Sequence, residues 1–146
     1  MPAEILKALA DETRLRLALA CRGRELCVCQ LLALVRLAPS TVSQHLKVLA
    51  HAGVLASRKE GRWMHYRLGE PPEPEAAIVR AALDAFARTP TGREDVRVLR
   101  DILRLDLEAL CLILREGGCC SPAPEPPRPG RRRKAGSGRS KRVKPE

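Results

Sequence analysis

A chain of 146 residues with 45% hydrophobic content accommodates one domain with a modest core, and only three aromatic residues leave that core to Leu, Ala and Val. No apolar run approaches 18 residues, and the start, Met1-Pro-Ala-Glu-Ile-Leu-Lys7, has neither the basic segment nor the apolar stretch of a signal peptide, so a cytoplasmic protein is expected. The formal charge of +10 suggests nucleic acid, yet residues 128–146 carry nine Lys or Arg against Glu146, +8 of that total, and leave the rest of the chain at +2.

Residues 3–10 and 12–22 read as two short helices, with Asp11 capping the second and Ile5, Leu6, Leu9, Leu15, Leu17 and Leu19 as apolar positions. Arg22-Gly23-Arg24 breaks the pattern. A third helix follows over Val28 to Val35, then a turn at Arg36-Leu37-Ala38-Pro39, then a helix over Ser40 to Ala52 with Val42, Leu46 and Leu49 facing inward and Gly53 ending it. Val54 to Lys59 and Trp63 to Leu68 flank Glu60-Gly61-Arg62 as a β-hairpin with Gly61 in the tight turn. Pro71-Pro72-Glu73-Pro74 leads to an Ala-rich helix over Glu75 to Arg88, stopped near Thr89-Pro90-Thr91-Gly92, and a longer helix is expected from Glu94 to Glu116. The apolar face of that last helix is broader than one small domain needs, which points to a second copy of the chain as partner. From Ser121 onward the chain is too poor in apolar residues to fold.

The expected fold is therefore mainly α with a small β-hairpin: a winged helix-turn-helix, dimeric, with a C-terminal helical extension and a disordered basic tail. Residues 1–88 form the DNA-binding and dimerisation domain, 89–120 the helical extension ending in a Cys pair, and 121–146 the Pro/Gly/Lys/Arg-rich tail.

Two features carry chemistry. In Glu25-Leu-Cys-Val-Cys-Gln-Leu31, Cys27 occupies the position where Ser or Thr would cap a helix and Gln30 follows three residues later, the spacing of a capping box with sulfur in place of oxygen. The helix N-terminus favours thiolate, the metal-binding form, so Cys27 and Cys29 are candidate ligands. Residues two apart point about 200° away from each other on a regular helix, so a shared ion requires Cys27 to be non-helical or the first turn to distort. Six cysteines without an export signal are expected to stay reduced, for metal binding or redox sensing rather than a disulfide framework; Cys21 and Cys111, at apolar helical spacing, are expected in the core.

In Ser40-Thr-Val-Ser-Gln-His-Leu-Lys-Val-Leu49 the second feature appears, one face packing and the other reading DNA. Ser40 and Thr41 suit phosphates, Ser43, Gln44, His45 and Lys47 base edges or backbone, and Gln44 a bidentate contact to adenine. Arg58, Lys59, Arg62 and His65 of the hairpin are placed to track phosphates or the minor groove, with Trp63 and Tyr66 supporting the wing. Residues 36–67 hold six basic side chains against Glu60 alone.

These segments resemble the ArsR/SmtB family of winged-helix metal-sensing repressors. The resemblance is carried by Ala8-Leu-Ala-Asp-Glu-Thr-Arg-Leu-Arg16, the Glu-Leu-Cys-Val-Cys box, Ser40 to Ala50, Ala52-Gly-Val-Leu55 and Arg58-Lys-Glu-Gly-Arg-Trp-Met-His-Tyr-Arg67, and it spans residues 3 to about 88. It implies a homodimer that represses an operator in double-stranded DNA and releases it when an ion binds. The Cys-Val-Cys form is similar to the arsenic- and antimony-sensing branch, in which Cys27 and Cys29 match two ligands of a three-sulfur site for As(III) or Sb(III). The third ligand would fall at Leu32, so another group must complete the site; Cys119 and Cys120 are the candidates, since adjacent sulfurs chelate thiophilic ions. Other branches bind zinc through carboxylates and histidines after the wing, and no histidine follows His65, which favours soft ions. Rival readings are a Cd(II), Pb(II) or Zn(II) sensor recruiting both Cys119 and Cys120, a thiol-redox sensor using Cys27 with Cys29 or Cys119 with Cys120, and an architectural DNA binder acting through the tail. No base or cofactor motif accompanies Cys-x-Cys, so an enzyme is not expected.

Overall fold

The structure, a computed structural model, describes residues 1–116. Helix α1 (Pro2–Leu9) opens on a proline, whose missing N–H and preset φ suit the first helical position. Helix α2 (Glu12–Ala20) starts where the Asp11 carboxylate accepts the Arg14 N–H at 3.0 Å. Strand β1 (Leu26–Cys27) runs directly into α3 (Val28–Val35), and Arg36, at φ 54° in the left-handed region, ends α3 and turns the chain into α4 (Pro39–His51). Strands β2 (Leu55–Glu60) and β3 (Trp63–Leu68) form the wing, joined by Gly61-Arg62. Gly61 holds the first central position at φ +59°, as a tight two-residue hairpin requires.

β1 is an element the hairpin expectation lacked. It adds a third antiparallel strand, in the order β1-β3-β2, with Leu26 opposite Tyr66 and Cys27 opposite His65. A two-residue strand has no periodicity of its own, and only β3 beside it defines it.

Beyond the wing, α5 (Glu75–Ala87) packs on α1 and α2. The long helix expected over Glu94 to Glu116 is corrected to two, α6 (Pro90–Ile102) and α7 (Leu107–Glu116). Thr89-Pro90-Thr91-Gly92 is a start rather than a stop: Thr89 Oγ1 accepts the Gly92 N–H at 3.1 Å and Pro90 takes the first helical position. At the other end, Arg104 and Leu105 donate to Asp101 and Ile102 in tight turns, and Asp106 accepts the Ala109 N–H at 3.0 Å, capping the next helix.

α6 lies on α2, α3 and α5, and α7 lies on α3. One continuous core joins Ile5, Leu17, Leu31, Leu46 and Leu49 to Leu83, Leu99, Ile102 and Leu110. No helix among the described residues is long and apolar enough to cross a membrane.

Candidate metal centre and nucleic-acid interface

Cys27 is the N-cap of α3, in extended conformation (φ −75°, ψ 151°), and its N–H donates to Gln30 Oε1 at 2.9 Å while its side chain faces the backbone of the same first turn, the reciprocal capping box. Because Cys27 is not helical, its sulfur is released from the opposite-facing geometry of an i, i+2 helical pair. The packing of α7 on α3 then brings in a third sulfur. The Sγ atoms of Cys27, Cys29 and Cys111 lie within 4.8 Å of one another, and all three residues are buried.

Cys29 and Cys111 are joined in a disulfide across a sequence separation of 82, with Cα atoms 5.7 Å apart. This corrects the expectation of wholly reduced cysteines: the return of α7 onto α3 places two side chains in bonding position. Cys111 is in the core, as its spacing indicated, and its neighbour there is sulfur. Cys21 is also in the core, where burial pushes its thiol up to about 12. Cys119 and Cys120 lie outside the described residues.

Two contacts tie this centre to the rest of the fold. Arg16 on α2 grips Asp95 on α6 with two bonds, Nε to Oδ2 at 2.7 Å and Nη2 to Oδ1 at 2.9 Å, and Nη2 also donates to the Leu34 carbonyl at 3.4 Å in the last turn of α3. Asp95 is a buried acid (8% side-chain exposure), and it holds the Arg16 guanidinium above its usual pKa. Second, Glu25, just before β1, reaches the wing: it pairs with Arg58, which also binds Glu60 at 2.9 Å, and stands 3.9 Å from His65 Nδ1. The Arg58 guanidinium holds the Glu25 carboxyl below the usual carboxylate range. Glu25, Asp95 and Arg16 were not among the residues singled out by spacing, since each acquires its role from a partner distant in sequence.

On α4, Ser40, Thr41, Ser43, Gln44 and Lys47 are exposed along one side while Val42, Leu46 and Leu49 are buried on the other. His45 differs. It is half-buried, and its Nδ1 accepts from Arg14 Nη1 at 3.4 Å, which turns it towards α2. Lys59 and Arg62 are exposed on the wing, with the Arg62 guanidinium 5.9 Å above the Trp63 ring. Arg58 is engaged by two carboxylates, and His65 is half-buried between the same two.

A solvent-facing polar helix after a tight turn, followed by a basic wing, defines a winged helix-turn-helix protein of the DNA-binding regulatory class. Residues 11–57 match the model of the bacterial regulatory proteins of the arsR family. The chain is 41% identical over 86 residues to the arsenic resistance transcriptional regulator ArsR1 of Pseudomonas putida, an alignment covering 58% of this chain and 67% of that one. It is 39% identical over 70 residues to a cadmium resistance transcriptional regulatory protein, a CadC homolog of Staphylococcus aureus, covering 47% of this chain and 57% of that relative. Reduced HlyU from Vibrio cholerae superposes with a TM-score of 0.51 at 31% identity, over 59% of this chain and 84% of that one. The chain belongs to the ArsR family of transcriptional regulators.

Proposed function

We propose that the protein is a homodimeric repressor that holds its operator when ion-free and releases it when As(III) or Sb(III) is taken up by the thiolates of Cys27, Cys29 and Cys111. The observation that supports this best is the convergence of three buried sulfurs within 4.8 Å. A donor set of sulfur alone selects thiophilic ions over hard ones. The three sulfurs already lie within 4.8 Å, so side-chain adjustment in the reduced protein would let all three reach one ion. When bound, the ion supplies a three-way link among these thiolates.

The chain's own connections carry that link to DNA. Cys27 both caps α3 and pairs with His65 of the wing, so a shift at its sulfur acts on the wing and on the helix that leads into α4. The far end of α3 is held through the Leu34 carbonyl by Arg16, itself clamped to α6. Two copies of α4 would enter successive major grooves of a near-palindromic operator, with Ser40 and Thr41 on phosphates and Ser43, Gln44 and Lys47 towards bases. A coupling of about 1–3 kcal/mol weakens operator binding about 5- to 150-fold.

The similarity to a cadmium resistance regulator favours a second reading, in which Cd(II), Pb(II) or Zn(II) takes the same three sulfurs and a fourth from Cys119 or Cys120. Titrating arsenite into the reduced protein on fluorescent operator DNA, with a phosphine reductant, tests both. Anisotropy should fall near one arsenite per site, and Cys27→Ser, Cys29→Ser and Cys111→Ser should each abolish the fall while retaining DNA binding. Release by Cd(II) but not arsenite would transfer the site to the divalent reading; release by arsenite in all three variants would dismiss it.

A further inference from the structure

Cys29 and Cys111 are bonded to each other, and Cys27 lies beside that bond with its sulfur within 4.8 Å of both. The same three sulfurs thus have two mutually exclusive uses. Once two of them share a bond, the three-thiolate donor set no longer exists, and a disulfide sulfur does not replace a thiolate as a ligand. In this bonded state the DNA-facing side of α4 is fully presented, with Ser40, Thr41, Ser43, Gln44 and Lys47 exposed and the wing sheet intact. We infer that the Cys29–Cys111 pair is an oxidation gate on the ion site: a hydroperoxide closes the bond, and the closed protein stays on its operator but no longer responds to the ion. This inference rests on the reading of the three sulfurs as the ion site.

The chemistry balances with hydrogen peroxide as oxidant. Cys29 Sγ attacks one peroxide oxygen; the O–O bond breaks, the sulfur becomes a sulfenic acid, and the departing hydroxide takes the Cys29 proton and leaves as water. The Cys111 thiol then attacks that sulfur. The S–S bond forms, the S–O bond breaks, and the hydroxyl leaves with the Cys111 proton as a second water. Two thiols lose two electrons and one peroxide gains them. A small oxidant suits these positions, because Cys29 is 0% and Cys111 4% exposed, which bars a bulky disulfide from in-line attack. α7 presents Leu112 and Ile113 to solvent and is the last element described, so its packing on α3 stands between these sulfurs and the oxidant.

The test uses the full chain in two preparations, one reduced with phosphine and one treated with hydrogen peroxide and then freed of it, the bond being located by mass spectrometry of unreduced peptides. The oxidised protein should be about 2 Da lighter through a Cys29–Cys111 link, two hydrogens having left with the electrons. It should bind operator DNA within about 3-fold of the reduced form and need at least about 100-fold more arsenite for release, and phosphine should restore the response. Release of both preparations at the same arsenite concentration would overturn the gate. So would loss of operator binding on oxidation alone, or a peroxide-formed bond between other cysteines. A reduced protein that binds DNA and ignores arsenite would instead remove the ion site itself, and the gate with it.

Discussion

Cys21 shows how one buried side chain ties stability to pH. Its thiol titrates at about 12 in the fold, against about 8.5 in an unfolded chain, because burial disfavours the thiolate. The folded state keeps its proton longer, so this contribution is fully present below about pH 8.5 and is lost as pH rises towards 12, with a cost on the order of 2 kcal/mol by pH 10. Urea unfolding midpoints of the reduced protein should therefore fall between about pH 8 and pH 10, and by less in Cys21→Ala, whose midpoint at about pH 8 is already lowered by the cavity. Equal pH slopes would assign the loss to other groups. At this scale the sequence disclosed identity and spacing: Cys27 as a sulfur cap, Gln30 as its partner and Cys21 as core all read directly from the chain. What it withheld were pairings between distant positions, Cys29 with Cys111, Arg16 with Asp95 and Glu25 with Arg58, because each exists only after helices pack.

Among the elements, the first five helices and the hairpin follow from apolar periodicity and terminal signals, whereas the region after Ala87 does not. An amphipathic stripe continues across a corner whenever both helices bury the same face, so periodicity alone could not separate α6 from α7; the Asp106 cap was the local sign. Gly92 looked like a breaker and is a packing residue. A Cβ there would run into the Phe86 carbonyl at the α5–α6 turn, backbone that does not yield. Gly92→Ala, although favourable by helix propensity, should destabilise the protein by about 1–3 kcal/mol through overpacking. Thermal unfolding of the reduced protein reads this out, and a raised midpoint would show that α5 and α6 separate freely.

For the whole molecule, charge is segregated: +8 of the formal +10 belongs to residues 128–146, outside the described part. In the proposed repressor, α4 and the wing supply selection and the tail supplies attraction without preference. Removing residues 128–146 should reduce the slope of log affinity against log salt by several units, at about 0.9 for each phosphate no longer neutralised, while the ratio of operator to random DNA affinity stays within a few-fold. An unchanged slope would show that the tail does not touch DNA. The corner at residues 103–106 has a genetic consequence. The α4 and wing residues proposed to select the operator are encoded before it, and the third sulfur after it. Under the proposed function, premature stop codons just downstream of Ile102 thus remove one of the three sulfurs while keeping α4 and the wing, and the alleles this layout generates are super-repressors that ignore the ion rather than simple losses of function.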